Sequence, residues 1–187
     1  MQRFFTALSI CLLLLLVACQ PNSNTGTAKS PADKATTTEK IKAAEADLRG
    51  NTSGTFDVEK AKTALAAYEE YVSLNLKDPE TSEYLFKSAE IYRSLNQFDK
   101  AVAAYERIGN EFPNYDKAPQ ALFLMAFCYE NDLGQKDKAK TLYQSFLTKY
   151  PNHELKESVQ FSLDNIDKSP EQIIKEFEAK QPKTDKK

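Results

Sequence analysis

Residue types able to do chemistry are scarce in this sequence. Its one histidine, His153, follows Pro151-Asn152 and has no second histidine with which to share a metal or a proton relay. That position reads as a solvated residue in a link between helices. Of the three cysteines, Cys11 lies within an apolar N-terminal run, Cys19 follows that run directly, and Cys128 stands in Phe127-Cys128-Tyr129. No histidine or cation cluster marks Cys128 for activation, so its thiol is expected to be buried and inert. Glu69 and Glu70 are adjacent, and a helix points neighbours apart, so they read as solvated face rather than an acid pair. Only 5 glycines occur, and no P-loop, His-Glu-x-x-His or paired Cys-x-x-Cys is present. No catalytic residue, metal ligand, cofactor or small-molecule substrate is expected. The 25 Lys and Arg nearly balance the 27 Asp and Glu, for a net charge of −2. Nucleic acid is therefore not an expected partner.

One position does invite covalent chemistry. Arg3 precedes an uncharged run, Ala7–Ala18, which at twelve residues is too short to span a bilayer and reads as the apolar core of a signal peptide. The run ends Leu16-Val17-Ala18-Cys19, which resembles the lipobox of bacterial lipoproteins. The resemblance implies cleavage after residue 18, acylation of Cys19, and a chain held by two or three acyl groups, each buried CH₂ contributing about 0.8 kcal/mol. Gln20 stands where relatives retained at the inner membrane carry Asp, which favours the periplasmic face of the outer membrane. With Cys11 removed and the Cys19 sulfur a thioether, Cys128 has no disulfide partner, so stability must come from packing. Residues 19–37 hold no aromatic and no large aliphatic side chain beyond the lipidated cysteine and read as a flexible tether. Its reach would be roughly 20–25 Å. Residues 181–187, QPKTDKK, read as a basic, disordered tail.

The elements that must carry any function show themselves as a repeat. Sliding the chain by 38 residues lays 95–114 on 133–152 with eight identities in twenty positions, among them Asp99/Asp137, Ala101/Ala139, Tyr105/Tyr143 and Pro113/Pro151. Ala101, Tyr105 and Ile108 share one helical face, as do Leu85, Ala89 and Tyr92 on the helix before. Asn96 aligns with Gly134, the two residue types that most readily turn left-handed after a helix. Proline closes each second helix. Small alanines let the two helices approach while tyrosines fill the flanks. Such a hairpin cannot bury its stripe alone and must stack on a neighbour.

These positions resemble the tetratricopeptide repeat. The first unit matches with Leu85, Ala89, Tyr92, Ala101, Tyr105 and Pro113, and the second with Leu122, Met125, Ala126, Tyr129, Ala139, Tyr143 and Pro151. Ser88 departs from the family's usual leucine, and the second unit carries extra residues near Asp116–Ala118 and one in its internal turn. The resemblance implies an all-α fold, a short right-handed α-solenoid of helical hairpins. The expected organisation is N-terminal helices with a partial repeat over 38–80, two units over 81–153, and closing helices over 154–180. Ser169-Pro170-Glu171-Gln172 has the order of a capping box with proline at the first helical position, opening the last helix. The linking segment also resembles repeat domains of the outer-membrane barrel-assembly lipoprotein and the Tol–Pal periplasmic coordinator.

In this family a concave groove is lined by first-helix residues beside the packing stripe. Mapped here, they are Glu83, Phe86, Glu90 and Arg93, then Gln120, Phe123, Phe127 and Glu130. Arg93 would pair with a partner's carboxylate. Phe86 and Phe123 stand open between groove and core, while Phe127 and Phe161 are expected in the core. The expected function is a non-catalytic, membrane-anchored scaffold that holds another envelope protein, by a peptide or a helix, in outer-membrane protein assembly or maintenance. Alternatives are a peptidoglycan-associated structural lipoprotein, a coordinator of cell wall or division, and an auxiliary subunit completing an enzyme's site.

Overall fold

The computed structural model describes residues 31–50 and 56–180, which form helices joined by short links, with no strand among them. The leader, Cys19 and the basic tail lie outside the described residues. In chain order the helices are α1 (Pro31–Arg49), α2 (Val58–Leu74), α3 (Glu80–Ser94), α4 (Phe98–Glu111), α5 (Ala118–Phe127), α6 (Lys136–Lys149), α7 (Lys156–Asn165) and α8 (Pro170–Lys180). A π-helical turn, Cys128–Asp132, extends α5. The fold is an all-α solenoid of helical hairpins.

The alanine and tyrosine stripes form the core as their spacing predicts. Ala89, Ala101 and Ala139 are completely buried, as is Tyr143, and Tyr105 is 2% exposed. Asn96 (φ 57°) and Gly134 (φ 65°) both adopt the left-handed conformation between the helices of their hairpins. The extra residue of the second unit is absorbed by the helix rather than by the turn. Leu133 N–H reaches back five residues to the Cys128 carbonyl at 3.0 Å, which is the π-helical bond.

Two boundaries differ from the sequence expectation. Helix α1 opens at Pro31, so residues 31–37 belong to a helix and not to the 19–37 tether. Ser30-Pro31-Ala32-Asp33 has the residue order of a helix start, and the first turns are held by Lys34 Nζ, 2.6 Å from Asp78 Oδ2. Thr37 is 1% exposed. Helix α1 also completes the upstream hairpin that the sequence shows only in part. Ile41 and Ala44 bury against Ala64, Ala67, Tyr68 and Tyr71 of α2. The pairs Lys60–Asp47, Lys40–Glu70 and Lys34–Asp78 run in opposite directions along the chain, so α1 and α2 are antiparallel. Asp57 caps α2, its Oδ1 accepting from the Glu59 and Lys60 N–H groups at 3.1 Å.

At the other end, Val159 of α7 and the following Ile166 join the cluster of Ala126, Ala139, Tyr143 and Phe146. Helix α8 begins with the anticipated capping box. Ser169 N–H donates to Gln172 Oε1 at 2.7 Å, and Gln172 N–H donates to Ser169 Oγ at 3.3 Å. Yet Ile174 and Phe177 stay largely exposed, so α7 does the closing and α8 presents an uncovered apolar face.

Candidate functional site: the concave face

Helices α1, α3 and α5 each open a hairpin and α7 closes the stack, and their outward residues make up the face expected to be the groove. Across its N-terminal part runs a row of alternating charges. Glu45 Oε1 lies 2.8 Å from Lys87 Nζ, Lys87 lies 3.6 Å from Glu83, and Glu83 Oε2 lies 2.9 Å from Lys117 Nζ. The Tyr68 and Tyr115 hydroxyls donate to Glu45 and Glu83. Pairs of this exposure contribute about 0–1 kcal/mol each, so the row mainly orients the helices.

The eight expected groove residues divide. Phe86 is 3% exposed and belongs to the core, its ring edge-on to Tyr105 at 5.8 Å and to Tyr115 at 6.4 Å. The link before α5 supplies part of that cover through Tyr115, whose hydroxyl donates to Glu83 of α3. Glu83 and Glu130 are half-buried and engaged, Glu130 accepting from the Tyr143 hydroxyl at 2.7 Å. Arg93 does not await a partner's carboxylate. Its Nε is 2.6 Å from Asp132 Oδ2, and its guanidinium lies 5.0 Å from the centre of the Phe127 ring. Phe127 and Phe123 are half-buried with centroids 6.3 Å apart, and Phe123 also faces Tyr143 at 6.1 Å. Gln120 and Glu90 are exposed. Phe161, expected in the core, is 60% exposed among the described residues.

Glu90 differs from the other groove acids in having no ion pair and no side-chain hydrogen bond among the described residues. It stands between two cavities, one of about 340 Å³ beside Leu48 and Ile91 and one of about 400 Å³ beside Phe98 and Leu124. Although Glu90 reaches solvent, partial desolvation beside these walls pushes its carboxyl upward, against the attraction of Lys117. For Glu45, Asp78 and Glu83, burial pulls the same way but is outweighed. Lys87 and the Tyr68 hydroxyl hold Glu45 below the usual carboxylate range, Lys34 does so for Asp78, and Tyr115 with Lys117 for Glu83.

These opposite shifts have opposite signs in stability. Carboxylates depressed in the folded state stabilise it above their unfolded values, about 3.9 for Asp and 4.3 for Glu, and that stability is lost as pH falls through the depressed values. Glu90, raised on folding, opposes folding once pH exceeds its unfolded value. The urea midpoint should therefore fall between pH 5 and pH 2. Glu90→Gln should raise the midpoint at pH 7 and leave it nearly unchanged at pH 3. A variant no more stable than the parent at pH 7 would contradict the assignment.

Lys87, Asp132, Lys117 and the Tyr105 hydroxyl were not anticipated at this face. Lys87 had a signal, since it lies four residues after Glu83 on one helix. Asp132 had none, because the π turn that aims it is invisible in residue spacing. Cys128 is completely buried, its Sγ 3.9 Å from the Phe98 carbonyl it donates to, and burial with the nearby Asp132 carboxylate pushes its thiol up to about 12. His153 is in a link, as expected, but it also does structural work. Its Nδ1 accepts the Leu155 N–H at 3.1 Å, just ahead of α7, and its ring sits edge-on to Phe146 at 5.7 Å. Glu69 is engaged as well, accepting from the Tyr92 hydroxyl.

No curated protein matches the chain. Residues 83–115 and 120–153 each match the family model described as tetratricopeptide repeat, and they span α3–α4 and α5–α6. These two segments are thus similar to tetratricopeptide repeats, units that serve generally as non-catalytic modules for binding protein partners.

Proposed function

We propose that this protein is a lipid-anchored scaffold of a bacterial cell envelope, tied by Cys19 to the periplasmic face of the outer membrane and holding another envelope protein on its concave face. Work in outer-membrane protein assembly or maintenance suits such a scaffold. The observation that carries the reading is the aromatic step from Phe127 and Phe123 on α5 to Phe161 on α7, half-buried on one helix and 60% exposed on the next. Rigid rings flanked by polar residues offer contact area at little entropic loss, which is what a peptide or helix docking between first helices requires. The anchor rests on the sequence Leu16-Val17-Ala18-Cys19 and on Gln20 after it.

One experiment addresses both halves. A photo-crosslinking residue is placed at position 161, with position 103 on the exposed side of α4 as control, in cells making wild type or Cys19→Ser. Discrete adducts to one envelope protein from position 161 and not from 103, lost in Cys19→Ser, are expected. Equal adducts from both positions would overturn the groove, and undiminished adducts in Cys19→Ser would overturn the anchor.

A further inference from the structure

The hydroxyls of Tyr68, Tyr71, Tyr92, Tyr115 and Tyr143 each donate to a glutamate carboxylate. Tyr84, Tyr129 and Tyr150 are half-buried without such a bond, and Tyr105 lacks one although it is buried. It is 2% exposed, yet its hydroxyl has no hydrogen-bond partner among the described residues. The repeat itself explains the difference. Glu130, which accepts from Tyr143, stands one residue after Tyr129, and the same place after Tyr92 is taken by Arg93. A guanidinium has no acceptor to offer a hydroxyl. Arg93 is itself committed, paired with Asp132 and laid on Phe127.

The Tyr105 side chain lines the cavity of about 400 Å³ between α3 and α5, together with Glu90, Arg93, Phe98, Leu124 and Asp132. The charge there is one cation against two carboxylates, and Glu90 is the carboxylate without a partner. An oxygen with free lone pairs, an unpaired carboxylate and two apolar walls describe a receptor for an N–H-rich cation on an aliphatic stem. An anion would face Glu90 and Asp132, and a purely apolar group would leave both polar atoms unmet.

We infer that this cavity takes a lysine or arginine side chain of the protein partner, its charge on Glu90, an N–H on the Tyr105 oxygen, and its methylenes along Phe98 and Leu124. The inference rests on the reading of the concave face as the partner's groove and adds the chemistry of one subsite. The volume admits one long side chain and not a helix, so the cation is an anchor within a longer contact.

The test is a titration of the purified full chain followed by amide NMR. The probes are N-acetyl-lysine-methylamide, N-acetyl-arginine-methylamide, the neutral isostere N-acetyl-norleucine-methylamide, and butylammonium. Saturable shifts at Glu90, Ser94 and Leu124 are expected with the two cationic residues and not with norleucine. Glu90→Gln should weaken the lysine compound about tenfold. Tyr105→Phe, which keeps the ring, should weaken it by a smaller factor with an unchanged fold. Equal shifts with norleucine, or wild-type affinity in Glu90→Gln, would overturn the site. Butylammonium binding as tightly as the lysine compound would overturn the partner side chain in favour of a free amine. Failure of the titration with adducts from position 161 intact refutes the cation subsite alone, and loss of those adducts with the titration intact refutes the groove.

Discussion

Tyr143→Ala should destabilise the protein by about 3–5 kcal/mol, the usual range for truncating a large ring in a packed core. Tyr143 is completely buried, and so are Ala139, Phe146 and Val159 in the same cluster. Its ring faces Phe123 at 6.1 Å, and its hydroxyl holds Glu130 at 2.7 Å. Truncation therefore opens a cavity between the second repeat and α7 and also strands a half-buried carboxylate. Tyr143→Phe separates the two effects, since it loses only the hydrogen bond and should cost about 1–2 kcal/mol. Because each hairpin contacts only its neighbours, the loss should be local first, with α6 and α7 unfolding ahead of α1–α4. Urea unfolding followed by circular dichroism, with hydrogen exchange on the same variants, would measure both. An Ala variant within 1 kcal/mol of wild type, or one that opens α1 and α2 first, would contradict the packing described here.

The fold was legible because hairpin formation is a matter of periodicity. Ala89, Ala101 and Tyr105 lie where their spacing puts them, and Asn96 and Gly134 take the one backbone conformation their alignment demands. The capping box at Ser169 is likewise a local device, complete within four residues. What could not be read depends on elements far apart in sequence. Phe86 and Phe161 occupy comparable first-helix faces, but among the described residues one is covered by Tyr105 and Tyr115 and the other is left 60% exposed. No spacing rule carries that difference. Arg93 shows the same limit. It was expected to face a partner, whereas an inserted residue forms the π turn that brings Asp132 to it. The helix that opens at Pro31 was hidden by the polar composition of 19–37, because the contact that holds it, Lys34 to Asp78, spans 44 residues.

Arg93→Ala should accordingly be a stability variant rather than a binding variant, at a cost of about 1–3 kcal/mol. Asp132 retains 17% of its side-chain exposure and Arg93 31%, so the pair is neither fully buried nor freely solvated. Removing the cation leaves Asp132 unpaired in a tight turn, takes the cover off Phe127, and adds an unopposed charge to the cavity that already contains Glu90. The penalty belongs mostly to the stranded carboxylate, and Arg93→Ala combined with Asp132→Asn should recover part of it. A coupling of about 1 kcal/mol or more in that double-mutant cycle would identify the pair as a strut between α3 and the π turn. Phe161→Ser provides the opposite case, because it removes a ring that touches little and should shift stability by no more than about 0.5 kcal/mol. If Arg93→Ala instead proved as stable as wild type while Phe161→Ser unfolded the chain, the division of the concave face into a braced half and an open half would be reversed.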